Sequence, residues 1–434
     1  MDRLSDLSII SGPLPWIIAV IGAAGGGWLL ASRARWYRRW AVPICLVAAA
    51  VVTAVLYVLV EKVLEPFPDP IEIPIYVWIG IGVFALLLLV PRMRAGRTVK
   101  AAVVTVVATV AVVLTSATQI NLVFDAYPTV GTAFGAEPFE RVRLQDLGSN
   151  TEQVVTARPL DASWTPPEGM DTQGKVLTAT IPGEKSGFSA RSAEIYLPPA
   201  YFTDPRPLLP VLVLLAGQPG SPDDWLAGGK LVTTMDAFAA EHHGLAPVVV
   251  IADATGSQVA NPLCVNSRLG NVASYLSTDV PAWVKSHLQV DPDPKSWAIG
   301  GLSYGGTCSL QMATNYPDVY PTFLDLSGQE GPTLGDHRRT LDEAFGGDEA
   351  AFEKVDPIAL MTARKYPDTA GVFVIGTDDH DYRPDAQKVY QAAKAAGMDV
   401  QYVEVPGGHS FAVWSAGLEK EMDWLARRLG LIGG

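Results

Sequence analysis

Long uninterrupted apolar runs fill much of the first 121 residues of the chain. There are four of them, each about 18 to 23 residues long and free of charged side chains, at 9–31, 41–60, 73–90 and 101–120. A helix needs roughly 20 consecutive apolar residues to cross the hydrocarbon core of a bilayer. The pattern therefore predicts a four-helix transmembrane region over residues 1–121, with the lipid bilayer as its partner.

The loops between these runs differ in charge. Residues 32–40 and 91–100 each contain four basic residues, whereas residues 61–72, between the second and third runs, contain four acidic residues and one basic residue. Short loops rich in Lys and Arg stay on the cytoplasmic side of a membrane. The sequence thus predicts a multi-pass protein of the cell membrane in which everything after residue 121 is extracytoplasmic.

The four runs give no indication of a transport pathway. None contains Asp, Glu, Lys, Arg or His, and such side chains within a membrane usually mark the route of an ion or a substrate. Gly22 and Gly26 form a G-x-x-x-G pair in the first run, a pattern that more often serves close helix packing. We therefore expect an anchor rather than a transporter with an additional outer domain.

The hydrophobic pattern changes after residue 121. Residues 122–173 are polar, contain several prolines and show no sustained period, which predicts an extracytoplasmic linker. Over 174–434, short apolar strands alternate with helical segments, which predicts a mostly parallel sheet with helices on both faces. Strands are expected at 175–181, 193–197, 211–215, 247–253, 297–300, 323–327, 371–375 and 400–405, and the clearest helices at 230–242, 271–289, 385–396 and 417–429.

Charge separates the two parts of the chain. Residues 1–121 hold ten Lys and Arg against six Asp and Glu, a net charge of +4, while the remaining 313 residues hold 22 against 39, a net charge of −17. An acidic domain is poorly suited to nucleic acid, so no such partner is expected. The six histidines show no H-x-x-x-H or H-E-x-x-H spacing, and we predict neither a metal nor a cofactor.

One short motif in the acidic part combines a strand, a tight turn and a helix that starts near residue 307. Gly301-Leu-Ser303-Tyr304-Gly305 fits G-x-S-x-G, the nucleophile elbow of α/β-hydrolases. Glycine on either side of the serine avoids collisions with the neighbouring strand and helix, and the N–H of Tyr304 points at the oxyanion formed in acyl transfer. A purely structural Gly-rich turn would have the same spacing, so catalysis requires partners elsewhere.

Two downstream loops supply such partners in the order Ser, acid, His that α/β-hydrolases follow. His409 lies on a Gly-rich loop after the last strand, where it can act as the general base for the elbow serine. A carboxylate at Asp378 or Asp379 follows the preceding strand and can orient the imidazole, and Asp325 is a third candidate. His380 comes before the last strand, so we prefer His409 as the base.

Two of the three cysteines fall in the part predicted to be extracytoplasmic, where disulfides can form. Cys308 stands five residues after Ser303, and Cys264 precedes the helix that leads to the elbow strand. A disulfide between them would hold that loop beside the elbow, and two separate buried thiols are the alternative. Cys45 lies inside the second apolar run and is expected to be only a small apolar residue.

Together these segments resemble an esterase family of α/β-hydrolases, of the membrane-anchored type found in actinobacteria. That family includes the mycobacterial mycolyltransferases, S-formylglutathione hydrolase and the enterobactin and feruloyl esterases. The resemblance implies Asp379 as the acid, and a second oxyanion donor from the backbone of Gln218, or of Gly217 if the loop is offset by one. The mycolyltransferases carry Glu at the acid position, which argues against mycolyl transfer here. The matching segments are 196–201, 214–220, 301–305, 376–379 and 407–409.

The combined pattern predicts a serine esterase or acyltransferase that forms an acyl-enzyme at Ser303. Anchoring outside the cytoplasm favours an ester of a lipid or another cell-envelope component, which anchoring keeps at high local concentration. The alternative is a catalytically silent hydrolase fold that serves as an interaction module of the envelope. The presence of Ser303, Asp379 and His409 together favours the enzyme, because no structural role requires all three.

Overall fold

The computed structural model describes residues 4–147 and 150–433, and contacts divide the chain into an N-terminal unit, Met1–Glu137, and a C-terminal unit, Pro138–Gly434. Four long helices dominate the N-terminal unit: α1 (Pro13–Leu30), α2 (Val42–Val58), α3 (Ile73–Gly96) and α4 (Val99–Phe124). Turns of π-helix at Tyr37–Ala41 and Leu59–Leu64 extend α2 into one helical segment of 28 residues. All four are long and apolar enough to cross a membrane, which confirms the prediction from the apolar runs.

The helices extend beyond the apolar runs that predicted them. Helix α3 continues past residue 90 and includes Arg92, which is buried. The Nε of Arg92 donates a hydrogen bond to the carbonyl oxygen of Trp28 on α1 (3.0 Å), and its guanidinium lies 4.5 Å from the centre of the Trp28 ring. A carbonyl and an aromatic face can hold an arginine at a membrane helix end. The helix ends therefore contain charged side chains that the runs themselves lack.

Close packing of α1 against α4 depends on small residues. A Cβ added at Gly22 would collide with Thr115, and one added at Gly25 would lie 2.8 Å from the carbonyl oxygen of Ala108. A Cβ added at Gly26 would meet nothing within 4 Å. The predicted packing pair, Gly22 and Gly26, is therefore wrong in its second member, because the rotation of the helix decides which glycines face the partner.

A nine-stranded sheet forms the centre of the C-terminal unit. Its strands are β1 (Glu140–Val142), β2 (Lys175–Ala179), β3 (Ala193–Leu197), β4 (Val211–Leu215), β5 (Val248–Ala252), β6 (Trp297–Leu302), β7 (Thr322–Leu326), β8 (Ala370–Gly376) and β9 (Asp399–Val405). They lie in the order β1-β2-β3-β5-β4-β6-β7-β8-β9. Strand β3 is antiparallel to both neighbours, and the other adjacent pairs are parallel. The mostly parallel sheet predicted from the sequence is thus confirmed.

Helices cover the sheet, and every residue of the central strands β3 to β8 is buried. The longer helices are α5 (Leu231–Glu241), α6 (Val280–His287), α7 (Tyr304–Asn315), α8 (Pro357–Ala363), α9 (Arg383–Ala395) and α10 (Phe411–Arg428). Helix α7 packs against β4, β6 and β7, α9 against β8 and β9, and α10 against β7, β8 and β9. Helix α10 begins at Phe411, before its predicted start at 417, and Val413 and Trp414 near its beginning are buried. Shorter helical segments are Val130–Ala133, Asp223–Leu226, Val272–Ser274, Tyr275–Asp279, His337–Thr340, Leu341–Phe345 and Glu349–Glu353.

Residues 138–173 form part of the C-terminal unit, although the sequence predicted a linker over 122–173. Strand β1 extends the sheet by pairing in parallel with β2, and Val154–Val155 pairs in parallel with Arg206–Pro207. Leu160 and Trp164 are buried in the main hydrophobic core. A three-residue strand and isolated large side chains leave too short a pattern to be recognised from hydrophobic periodicity.

A disulfide joins Cys264 to Cys308, with their Cα atoms 5.5 Å apart. This confirms the pairing over the alternative of two separate thiols. Cys308 lies on α7, the helix that follows the elbow, and Cys264 lies in the segment between β5 and α6. Cys45, on α2, is a buried free cysteine, as expected.

Candidate active site

Ser303 occupies the turn between strand β6 and helix α7. Its backbone angles are φ 54° and ψ −117°, a region that a residue with a side chain adopts only when its surroundings hold it there. The N–H of Ser303 donates to the carbonyl oxygen of Leu326 (2.8 Å), and its own carbonyl accepts the N–H of Thr307 (3.0 Å). The turn is therefore tied to the neighbouring strand β7 on one side and to its own helix on the other.

The glycines of the motif allow this turn to approach the surrounding backbone closely. A Cβ added at Gly301 would overlap the backbone of Gly305. A Cβ added at Gly305 would overlap the carbonyl oxygen of Leu215, at the end of β4. Backbone atoms cannot move aside as a flexible side chain can, so both positions need glycine.

The structure brings Ser303, His409 and Asp379 into one hydrogen-bonded chain. The Nε2 of His409 lies 2.9 Å from the Oγ of Ser303, and its Nδ1 lies 2.8 Å from the Oδ2 of Asp379. The carboxylate side chain is 2% exposed and the imidazole 22% exposed. A buried carboxylate facing Nδ1 favours the tautomer that leaves Nε2 able to accept the hydroxyl proton.

The other carboxylates considered from the sequence lie elsewhere. Asp378 and His380, on either side of Asp379, are exposed. Asp325 lies on β7 and is fully buried, where its Oδ1 accepts the N–H of Gly328 (2.8 Å). Burial raises the pKa of Asp325 to about 7. Of the three candidate acids, Asp379 is the one whose carboxylate reaches His409.

Two aromatic side chains enclose the imidazole of His409. The ring of Tyr382 stacks on it, with centroids 3.9 Å apart and planes 18° apart, and Trp414 meets it edge-on at 4.9 Å. No pattern in the sequence indicated these contacts, although Tyr382 stands three residues after Asp379 and Trp414 five after His409. Stacking fixes the ring plane, and an aromatic face also favours the positively charged imidazolium.

The candidate oxyanion donors come from two segments beside the elbow. Gly217 and Gln218 follow β4, and a Cβ at Gly217 would lie 3.5 Å from the Cβ of Ser303. Tyr304 is the first residue of α7, so its backbone N–H is among those at the helix start that have no intrahelical partner. Its side chain points inwards, where its hydroxyl donates to the carbonyl oxygen of Ala254 (3.1 Å). Burial raises the pKa of this phenol above its ordinary value.

The arrangement supplies the side chains needed for nucleophilic acyl chemistry. Within residues 4–147 and 150–433, no group of three or more His, Cys, Asp or Glu side chains could hold a metal ion. A serine hydroxyl, a histidine and a buried carboxylate form the complete set of side chains for a proton-relayed attack on a carbonyl.

A family model described as putative esterase matches residues 189–425, more than half of the chain. This protein belongs to that esterase family. The matched region contains the elbow, both downstream loops and the disulfide. Membership in this family supports hydrolysis of esters or acyl transfer as the chemistry of the C-terminal unit.

One similar protein extends over both units, and two solved structures match the C-terminal unit. An uncharacterized protein of Corynebacterium glutamicum is 40% identical over 401 residues, which cover 91% of this chain and 91% of the relative. A solved ferulic acid esterase aligns with 60% of this chain and 100% of its own, at 19% identity and a TM-score of 0.52. An S-formylglutathione hydrolase from Agrobacterium tumefaciens covers 60% and 97%, at 19% identity and a TM-score of 0.50. These two structures share the fold of the C-terminal unit.

Proposed function

We propose that this protein is a membrane-anchored serine esterase or acyltransferase in which Ser303 is the nucleophile, His409 the general base and Asp379 the orienting acid. One observation carries the proposal. The Oγ of Ser303, the imidazole of His409 and the carboxylate of Asp379 form a continuous chain with separations of 2.9 and 2.8 Å. Family membership supplies the ester as the bond to be broken.

The first half-reaction forms an acyl-enzyme. The Oγ of Ser303 attacks the ester carbonyl while its proton passes to the Nε2 of His409, and Asp379 stabilises the resulting imidazolium. The N–H groups of Tyr304 and Gln218 donate to the oxyanion of the tetrahedral intermediate, with Gly217 replacing Gln218 if the loop is offset by one residue. The proton on Nε2 then moves to the leaving alcohol, and the acyl group stays on the serine.

The second half-reaction releases the acyl group. Water or a second alcohol gives up its proton to His409 and attacks the acyl-enzyme, and the proton then returns to Ser303. Water yields a carboxylic acid, whereas an alcohol acceptor yields a new ester. The two outcomes use the same residues, so products formed with and without an added alcohol distinguish esterase from acyltransferase.

The proposed substrate is an ester of a lipid or another cell-envelope component. The four helices suit a membrane anchor, and the basic loops at 32–40 and 91–100 favour an extracytoplasmic C-terminal unit. Tethering a domain beside a membrane raises its effective concentration towards lipid-linked substrates. The names of the two structural neighbours, a ferulic acid esterase and an S-formylglutathione hydrolase, are compatible with cleavage of an acyl–oxygen or acyl–sulfur bond.

A fluorophosphonate probe tests the nucleophile directly. The full-length protein in detergent is exposed to the probe as wild type, Ser303→Ala, His409→Ala and Ser286→Ala. The last variant is a matched control, because the Oγ of Ser286 contacts the carbonyl oxygen of Trp283 and the Nδ1 of His287, both on its own helix α6, at 2.9 Å each. We expect labelling of the wild type and of Ser286→Ala, and loss of labelling in the other two. Labelling is measured by mass spectrometry, which also identifies the modified residue.

A folded wild-type protein that does not react would contradict this proposal. Circular dichroism and a cooperative thermal transition establish that the protein is folded. That result would favour the alternative, in which the hydrolase fold is catalytically silent and serves as an interaction module of the cell envelope. Labelling at a serine other than Ser303 would support a serine enzyme but reject Ser303 as its nucleophile.

Orientation has a separate test in intact cells. A membrane-impermeant maleimide is applied to cells that express Glu168→Cys or Arg97→Cys, both at exposed positions. With the C-terminal unit outside the cytoplasm, Glu168→Cys is labelled and Arg97→Cys is protected until the cells are permeabilised. The reverse pattern would reject the extracytoplasmic location.

A further inference from the structure

A connecting loop, residues 254–264, is anchored at both ends to the helix that follows the nucleophile. The disulfide bonds Cys264 to Cys308 on α7, and the Nε2 of Gln311, one turn further along, donates to the carbonyl oxygen of Leu263 (2.9 Å). The hydroxyl of Tyr304, the first residue of α7, accepts the N–H of Cys264 and donates to the carbonyl oxygen at the start of the loop, each at 3.1 Å. The position of the connecting loop is therefore fixed relative to α7.

The middle of the same loop holds the segment that carries the proposed second oxyanion donor. The side-chain Nε2 of Gln218 donates to the carbonyl oxygen of Val259 (2.8 Å). The N–H of Gly220 donates to the carbonyl oxygen of Gln258 (3.0 Å). A hydrogen bond on each side of residue 219 thus ties residues 217–220 to the connecting loop.

Arg191 adds a third link between the two segments. One nitrogen of its guanidinium, Nη2, donates to the carbonyl oxygen of Gly220 (2.9 Å) and to the hydroxyl of Thr255 (2.7 Å). The same nitrogen lies 2.7 Å from the carboxylate of Asp253, which is buried. The start of the connecting loop and residues 217–220 are therefore held by one planar guanidinium group.

Backbone strain is concentrated where the disulfide holds the loop. Leu263 and Cys264 are consecutive residues with left-handed φ values of 68° and 52°. Residues other than glycine rarely adopt this region, and they stay there only when the surrounding structure over-determines their conformation. Without the bond to Cys308, the hydrogen bonds to Tyr304 and Gln311 would have to hold both residues in this conformation. We therefore expect the loop to relax and to shift relative to α7 when the disulfide is absent.

We propose that the disulfide between Cys264 and Cys308 is a positioning device for catalysis, because it sets the oxyanion donor at Gln218 relative to Ser303 through the connecting loop. The inference rests on the proposed function for the role of Gln218. Oxyanion donors act only when they lie about 3 Å from the developing charge. A displacement of about 1 Å in a catalytic group can lower a rate by roughly a hundredfold.

The test compares oxidised and disulfide-free forms of the full-length protein in detergent. All forms carry Cys45→Ala, so that the thiols counted belong to the pair alone. The first form is oxidised. The second is reduced with dithiothreitol, which donates two electrons and two protons, opens the S–S bond to two thiols and itself closes to a cyclic disulfide. The third carries Cys264→Ala and Cys308→Ala. It lacks the disulfide without any reductant, so the result does not depend on whether dithiothreitol can reach the buried bond.

Two measurements are made on each form. Hydrogen exchange of the Gly220 amide reports directly on its bond to Gln258, and it does not require any catalytic activity. Values of kcat and KM for a p-nitrophenyl ester report on catalysis. We expect disulfide-free forms to exchange Gly220 at least about tenfold faster, and to lose about tenfold or more in kcat with KM within about twofold, because oxyanion donors act in the transition state. Exchange in α10 should not change, which excludes global unfolding.

A second variant reproduces the catalytic loss without breaking the disulfide. Gln218→Met keeps the backbone N–H but removes the side-chain bond to Val259, so kcat should fall in the oxidised protein as well. Unchanged exchange of Gly220 in the double cysteine variant would overturn the proposal, as would unchanged kcat in an active protein whose two thiols are demonstrably free. If the oxidised protein neither hydrolyses esters nor reacts with the fluorophosphonate, the proposed function fails, and the exchange of Gly220 still decides whether the disulfide positions the segment.

Discussion

Buried polar side chains are satisfied in different ways in the two units. In α4 of the N-terminal unit, the hydroxyls of Thr105, Thr109 and Thr115 donate to carbonyl oxygens four residues earlier, at 2.7, 2.9 and 2.9 Å. These three bonds stay within α4. The hydroxyl of Thr115 also lies 2.9 Å from the carbonyl oxygen of Ile18 on the neighbouring helix α1, and the hydroxyl of Thr105 accepts the indole N–H of Trp28 on α1 (3.2 Å). In the hydrocarbon core of a membrane, a helix is the structure that satisfies its own backbone, and short hydroxyl side chains can use the same carbonyls.

In the C-terminal unit, buried carboxylates join segments that are far apart in the sequence. Asp279 accepts the N–H groups of Lys185 and Ser186, at 2.9 and 3.0 Å. Asp379 lies 2.8 Å from the imidazole of His409. A buried carboxylate is costly unless it is paired or hydrogen-bonded, so each one fixes the segments that it joins.

The difference indicates where chemistry can be expected. A buried threonine in α4 is explained by bonds within its own helix and to the adjacent helix α1, and it suggests no function. A buried carboxylate that reaches a distant histidine needs a further explanation, and for Asp379 the proposed function supplies one. The contrast predicts that replacing Asp379 lowers activity far more than replacing a carboxylate that does not contact His409.

The largest effect is expected from the carboxylate that contacts His409. Asp379→Asn should lower kcat by about 10⁴-fold, because an amide favours the wrong imidazole tautomer and cannot offset its charge. Asp378→Asn, one residue earlier and exposed, should stay within about twofold of the wild type. Both values are measured on the full-length protein with a p-nitrophenyl ester.

The same two variants can also contradict the assignment of Asp379 as the acid. An active Asp379→Asn together with an inactive Asp378→Asn would move the acid by one residue and remove the main example of a functional buried carboxylate. Thermal transitions of the two variants, compared with the wild type, separate lost catalysis from lost folding.

A smaller effect is expected from Asp325, a buried carboxylate that does not reach His409. Burial raises its pKa from 3.8 to about 7. The folded protein therefore holds this proton more tightly than the unfolded chain does. Its contribution to stability is complete below about pH 4 and is lost as the pH rises to about 7, by at most about 4 kcal/mol. Asp325→Asn, which carries no titratable proton, should lack this loss.

Thermal transitions at pH 5 and pH 8 measure the difference. The wild type should lose more of its transition temperature between the two pH values than Asp325→Asn does. Asp318→Asn, at an exposed position after α7, is the matched control and should behave like the wild type. Equal pH dependence in the wild type and Asp325→Asn would mean that the buried carboxyl group does not titrate in this range.

Local patterns in the sequence were sufficient for much of this architecture. Hydrophobic runs predicted the four long helices, and alternating strands and helices predicted the parallel sheet. The motif around Ser303 and the order of Asp379 and His409 depend on spacing along the chain, which a sequence displays directly. The pairing of Cys264 with Cys308 could be predicted because the chain has two cysteines after residue 121. The structure confirms that they are bonded.

Features that depend on tertiary packing were not accessible in the same way. The three residues of β1 join the sheet only through their pairing with β2, and such a short strand has no hydrophobic period. Tyr382 stacks on His409 because two loops converge in space, although their residues are 27 apart in the sequence. Helix rotation likewise selected Gly25 over Gly26 for contact with α4, a choice that the G-x-x-x-G spacing cannot make.

The smallest effect is expected from these two adjacent glycines of the N-terminal unit. Alanine is intrinsically better than glycine in a helix by about 1 kcal/mol, and both substitutions share that gain. At Gly25 the added methyl group would lie 2.8 Å from the carbonyl oxygen of Ala108 on α4, whereas at Gly26 it meets nothing within 4 Å. Gly25→Ala should therefore be less stable than Gly26→Ala by about 1 to 3 kcal/mol, the usual cost of overpacking.

Thermal unfolding of the two full-length variants in the same detergent measures this difference. Neither substitution should change kcat, because the N-terminal unit is proposed to anchor the enzyme without contributing to its chemistry. Equal stability of the two variants would show that α1 and α4 do not approach as closely as their glycines allow. A fall in kcat for Gly25→Ala alone would weaken the contrast between the two units, since helix packing in the anchor would then influence the site at Ser303.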